Sequence, residues 1–227
     1  MMRHALSISL LCVFQLAIPT HSKATNLLSP AGNFNVPGIS LHEAKMHSTL
    51  IQQFDFSCGS AALATLLTYH YNTPVTEQIV FEEMFAHGDQ QAIRKSGFSL
   101  LDMKRFLASH GFVADGFELP LDKLQEAKLP AIVMVNEKGY NHFVVVKGIR
   151  NGRILLGDPA NGTRAVMRSE FDAIWQNRLL FVIHNKTDLA AFNRTEDWMA
   201  TPVAPVNSAG STPLRFIGLP HMGPGDF

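Results

Sequence analysis

Beyond Pro130 the sequence changes character, and that change limits the possible folds more than any other feature. AIVMV at 131–135, HFVVVKGI at 142–149, RILLGD at 153–158 and LLFVIH at 179–184 are short runs rich in β-branched residues. Such runs read as strands. The second and third are joined through Arg150-Asn151-Gly152-Arg153. Asn-Gly between two such runs predicts a tight hairpin, because both central residues of a type I′ turn need positive φ. Upstream, Cys58 to about Tyr71 is rich in Ala and Leu, and 76–86 and 99–110 carry apolar residues at helical spacing. Thr or Ser opens each of the latter two, as helix caps do. A short helix at 121–127 ends before Pro130, and a first strand is expected near Ser48–Gln53. Helices first and strands afterwards predict an α+β fold with an antiparallel sheet.

The flanks differ from this middle. The segment MMRHALSISLLCVFQLAIPTHSKA opens on Arg3 and His4, runs uncharged from Ala5 to Ile18, and places small residues at Ser22 and Ala24. That is the pattern of a signal peptide over residues 1–24, too short to span a bilayer, so export without a stable membrane anchor is expected. Bulky Leu11 argues against a lipid anchor on Cys12. Residues 25–47 read as an extended arm, and 187–227, rich in Pro, Gly and Ser, as a mobile tail. The domain between them is 48–186.

The 19 basic residues balance 19 acidic ones, without the basic excess of a nucleic-acid binder. Peptides or proteins are the expected partners. With the signal removed, Cys58 is the sole cysteine of an exported chain, so it has no internal partner for a disulfide. A buried, inert thiol and a reactive one are both compatible with this. Position favours reactivity: Cys58 opens a helix, where unpaired N–H groups and the macrodipole stabilise a thiolate. Gly59 would let a substrate backbone approach, and Gln52, six residues upstream, could donate to an oxyanion together with the Cys58 N–H.

A nucleophilic thiol needs a base. A lone histidine is more often structural than catalytic, yet His142 stands at the head of a Val-rich strand, where its ring can border a cleft. Asp158, before Pro159, ends the next strand and could accept the Nδ1–H of His142. With a two-residue turn, however, Asp158 falls opposite Val145, and alternation places His142 and Val145 on opposite faces. A bulge at Gly148 or Gly157, or a chain leaving the ladder at Gly157, is therefore expected. No cofactor is implied and no zinc-ligand spacing is visible.

Together, Gln52-x5-Cys58-Gly59, His142 at a strand head and Gly157-Asp158-Pro159 resemble the C39 peptidases, papain-like enzymes that cut bacteriocin-type leaders after a double glycine. The resemblance covers about residues 48–185. It implies a papain-like fold, with Cys58 as nucleophile, His142 as base, Asp158 as its orienting acid and Gln52 as oxyanion donor. The chain lacks the membrane and ATPase segments of the exporter-fused members. It looks more like the small stand-alone exported type of Gram-negative bacteria, one of which is associated with functional-amyloid (Fap) export. That departure bears on the double-glycine rule rather than on the chemistry. The implied activity is that of an exported cysteine peptidase working through a thioester. The competing reading is a non-catalytic, chaperone-like module of a secretion system on the same fold. Hydrolysis of other amides and acyl transfer would use the same thioester.

Overall fold

A computed structural model describes residues 24–29, 32–37 and 40–201. Most of the expected signal peptide and residues 202–227 lie outside them. Strands β1 (Ala24–Ser29) and β2 (Gly32–Pro37) form an antiparallel hairpin, a unit distinct from the rest of the chain. The residues expected as an extended arm thus hold a hairpin and also a short helix, α1 (Leu41–Met46). The strand expected near Ser48–Gln53 is absent, and these residues run as irregular chain. Thr65 and Pro159 explain the change. The Leu50 N–H bonds the Thr65 hydroxyl at 2.9 Å and the Gln52 N–H bonds the Pro159 carbonyl at 3.0 Å, so no ladder is needed.

The helical half comprises α2 (Cys58–Thr65), continued by one π-helical turn over Leu66–His70, then α3 (Glu77–His87), α4 (Gln90–Ser96) and α5 (Leu100–Ser109). Thr76 and Ser99 cap α3 and α5 as expected, with Ser99 in a reciprocal capping box with Asp102. After β3 (Ala114–Glu118) and α6 (Asp122–Ala127) come β4 (Ala131–Glu137), β5 (Tyr140–Arg150), β6 (Arg153–Asp158) and β7 (Gly162–Met167). Helix α7 (Arg168–Ile174), β8 (Leu179–Ile183) and α8 (Thr195–Met199) complete the order. The six strands β3-β8-β4-β5-β6-β7 form one antiparallel sheet.

Two-residue turns join β4 to β5 and β5 to β6. Lys138 and Gly139 have φ of 55° and 86°, and Asn151 and Gly152 have 53° and 69°. These positive values are those of type I′ turns. The sheet is covered on both faces, which explains why its central strands lack polar alternation. Ile132, Phe143, Val145 and Phe181 pack with Leu63, Leu67 and Met103 of the helices. Their neighbours Val133, Val135, Val144 and Val146 pack with Leu124, Phe171 and Trp175 on the other face.

The segment expected as a tail from residue 187 is bound as far as Thr201. Asp197, Trp198, Ala200 and Thr201 are buried. The Ala191 N–H bonds the His70 carbonyl at 2.8 Å, and the Arg194 guanidinium bonds the Tyr69 carbonyl at 3.0 Å. The sequence alone did not reveal these anchors, since irregular chain can be fixed by side chains without any periodicity.

Candidate active site

Cys58 is the first residue of α2, and only 7% of its surface is exposed. All eight residues of that helix are buried, so it lies within the core. Ser57 precedes it but does not cap it. The Ser57 hydroxyl turns back, donating to the Phe54 carbonyl at 3.0 Å and accepting the Phe54 N–H at 3.2 Å. The helix start is left without a side-chain cap, and its N–H groups are the ones an oxyanion needs. Gly59 also has a packing role. A Cβ there would come within 2.9 Å of the Met103 methyl and 3.0 Å of Phe98 Cβ, so the glycine permits close packing of α2 on α5.

The expected irregularity lies in β5. From the turn, Arg150 pairs with Arg153, Ile149 with Ile154 and Gly148 with Leu155. The register then shifts, and Val146 pairs with Leu156 and Val145 with Gly157. Lys147 is the extra residue. Packing records the same shift: Val144 and Val146 share a face with Ile149, three rather than two positions on. The shift aligns the strands so that His142 Nε2 meets Asp158 Oδ1 at 2.8 Å, both groups being buried. The ring uses Nε2 for this bond, the reverse of the sequence expectation. Nε2 lies farther from the backbone and reaches across to β6. Nδ1 is left buried without a nitrogen or oxygen partner.

Burial works against the charged form of His142. The hydrogen bond to Asp158, the neighbouring Cys58 and the charges of both outweigh it and push the imidazole up to about 9. An imidazolium beside a thiol sulfur is the arrangement of an activated cysteine. Burial alone would raise Asp158. Its bonds with His142, the Asn161 amide and the Ala160 N–H instead hold it far below the usual carboxylate range. Its Oδ2 also accepts from Arg164 Nε at 2.8 Å, and the same guanidinium bonds Glu137. The Tyr140 ring lies 6.0 Å from that of His142, and its hydroxyl donates to the Asp55 carbonyl at 2.8 Å.

Sequence reasoning did not reach Arg164 or Asn161. Asn161-Gly162 is itself a hairpin signal, but β7 (GTRAVM) is too polar to declare itself a strand. Gln52 is near the loop before Cys58 but is occupied. Its Nε2 donates to the Phe54 carbonyl at 2.9 Å and to Asp55 at 3.4 Å, and its Oε1 is buried without a partner. Among the described residues no group of three or more His, Cys, Asp or Glu side chains is placed to hold a metal ion, and no helix is long and apolar enough to cross a membrane.

The profile of the Peptidase C39 family matches residues 47–187, which include all four of these positions. The chain belongs to the Peptidase C39 family. Over 144 residues it is 40% identical to the protein of Pseudomonas aeruginosa described as "Probable functional amyloid protease FapD", a match covering 63% of each chain. It is 31% identical over 139 residues to the lactococcin-G-processing and transport ATP-binding protein LagD of Lactococcus lactis, covering 60% of this chain and 19% of that one. The match thus spans under two thirds of the length of these curated relatives. Among solved structures, the peptidase domain of Streptococcus ComA, a bi-functional ABC transporter, aligns with a TM-score of 0.50 at 23% identity, over 60% of this chain and 98% of that one. That likeness carries the C39 fold, which is papain-like.

Proposed function

We propose that this chain is an exported cysteine peptidase that cleaves a peptide or secreted protein through a thioester. The observation that carries the proposal is the convergence of Cys58, His142 and Asp158 at a helix start, with His142 held protonated up to about 9. The Cys58 thiolate attacks the scissile carbonyl, and the tetrahedral oxyanion is held by the Cys58 N–H and one N–H of Gln52. His142 delivers its Nδ1 proton to the departing amine, leaving a thioester on Sγ. A water then loses its proton to Nδ1 and attacks the thioester, which releases the acid and restores the thiolate and imidazolium. Asp158 keeps the Nε2–H fixed throughout.

The role given to Gln52 requires one of its N–H groups to leave a loop carbonyl when substrate binds. Replacing Gln52 by Ala tests it: loss of an oxyanion donor lowers kcat by about 10²-fold, whereas a loop brace leaves kcat nearly unchanged. The kinship with FapD supports a substrate from a functional-amyloid export system, and the signal-like N-terminus supports a periplasmic site of action. The decisive experiment is processing of a secreted precursor by the full chain and by Cys58→Ala, followed by mass spectrometry. A fall of about 10⁴-fold or more is expected in the variant. Unchanged processing would sink the peptidase reading and favour the non-catalytic binding module.

A further inference from the structure

Residues 188–201 lie beyond the stretch matched by the C39 profile, yet they pack on the place in the sheet on which the catalytic geometry depends. β4 stops pairing with β5 at Ala131 and Val146, so the edge of β5 beyond that point has no strand beside it. Asn193 takes the strand's place. Its N–H donates to the Lys147 carbonyl at 2.9 Å, and its side-chain Oδ1 accepts the Ile149 N–H at 2.8 Å. A strand would use its own carbonyl for the second bond. Asn193, at φ 60°, turns its carbonyl away toward Arg150 and substitutes the amide oxygen. The Trp198 indole N–H holds that oxygen at 3.2 Å. Gly148 faces this contact: a Cβ there would stand 3.1 Å from Asn193 Cα.

The same segment grips the bulge from its side chain. The fully buried Lys147 amine bonds the Ser48 carbonyl at 2.9 Å, the Ser48 hydroxyl at 2.7 Å and the Thr163 hydroxyl at 3.2 Å. It also pairs with Asp197 of α8 at 3.1 Å. Gly157 makes the space: a Cβ there would meet Lys147 Cδ at 3.0 Å.

We propose that residues 188–201 are a positioning strap for the catalytic pair. Asn193 and Asp197 clamp the extra residue Lys147, and so hold the one-residue register shift that lets His142 meet Asp158. Slippage of that register is discrete. Without the extra residue, Val145 would face Asp158, and His142 would point to the other face. For its effect on turnover the strap rests on the peptidase reading, but for its effect on the His142–Cys58 pair it does not.

The test uses the full chain and follows alkylation of Cys58 by iodoacetamide near neutral pH, resolved from Cys12 by mass spectrometry, with the unfolding midpoint as control. Asn193→Gly keeps the positive φ and removes the acceptor, whereas Asn193→Asp retains it. Alkylation of Cys58 should fall about 10²-fold in folded Asn193→Gly, as a displaced base no longer stands beside the sulfur to take its proton. Asn193→Asp should recover most of the loss. Parental alkylation in folded Asn193→Gly would overturn the proposal, as would a loss that Asn193→Asp fails to rescue. Should Asn193→Gly not fold, Gly148→Ala attacks the same contact from the strand side and is read in the same way. Absence of peptide turnover in the parent chain, with this alkylation pattern intact, would remove the peptidase reading and leave the strap standing.

Discussion

At one end of β5 the His142 ring bonds Asp158, and five residues along the same strand the Lys147 amine pairs with Asp197. Both are buried cations on one strand, each with an aspartate. At Lys147 every donor of the amine is occupied: burial lowers it to about 8 even with Asp197 beside it, and two hydroxyls and a carbonyl take its N–H groups, while the second Asp197 oxygen is buried without a partner. At His142 the ring keeps one nitrogen without a hydrogen-bond partner, while the bond to Asp158 and the nearby Cys58 overcome burial and raise it to about 9. The difference is one of saturation. A buried charge with every valence filled fixes a shape, whereas one with a free site beside a thiol is equipped to move a proton.

Three perturbations separate the two regions. Lys147→Met should have the larger effect, a loss of about 3–5 kcal/mol in stability measured by denaturant unfolding, because Asp197 is left buried without its partner. Removing that charge as well, in the double variant with Asp197→Asn, should restore part of it. A loss confined to Cys58 reactivity, with an unchanged unfolding midpoint, would contradict the structural role.

Asp158→Asn should act the other way, with a kcat loss of about 10²-fold and a smaller stability change. It should also move the alkaline limb of the rate profile. The His142 imidazole is raised from 6.5 to about 9 in the folded protein, so its stabilisation is complete below pH 6.5 and lost as pH rises through 9. Acylation, which needs the imidazolium proton, should fall on the same limb, and Asp158→Asn should shift it to lower pH. Asp158 has the opposite sign: its value is depressed, so its contribution holds above its ordinary 3.8 and disappears on acidification below it.

The smallest effect is expected for Arg164→Met. Arg164 touches Asp158 Oδ2, not the oxygen that meets the ring, so kcat should fall by only about three- to tenfold. A larger loss, comparable with Asp158→Asn, would make the Glu137–Arg164 pair part of the proton-holding unit rather than its support.

Much of this was legible beforehand for a simple reason: local chemistry announces itself. The β6 run was expected over 153–158 and is found there, and the helix expected from Cys58 to Tyr71 occupies Cys58–His70. Even the need for an irregularity in the hairpin followed from counting alternation back from Asn151-Gly152. Several of the elements that sequence missed depend on partners far along the chain. β3 and β7 are polar strands defined by the neighbours they pair with, and α8 is a five-residue helix held by buried contacts of Trp198 and Asp197.

By itself, then, the sequence determined the α+β order, the hairpin turn, and the residue types from which a thiol, a base and an acid could be assembled. These depend on propensity and spacing along the chain. Only the tertiary structure decided that Lys147 is the residue inserted, that Nε2 rather than Nδ1 meets Asp158, and that Asn193 closes the open edge of β5. Each of those depends on groups brought together from distant parts of the chain. Spacing can require such a meeting, but only packing selects the atoms that make it.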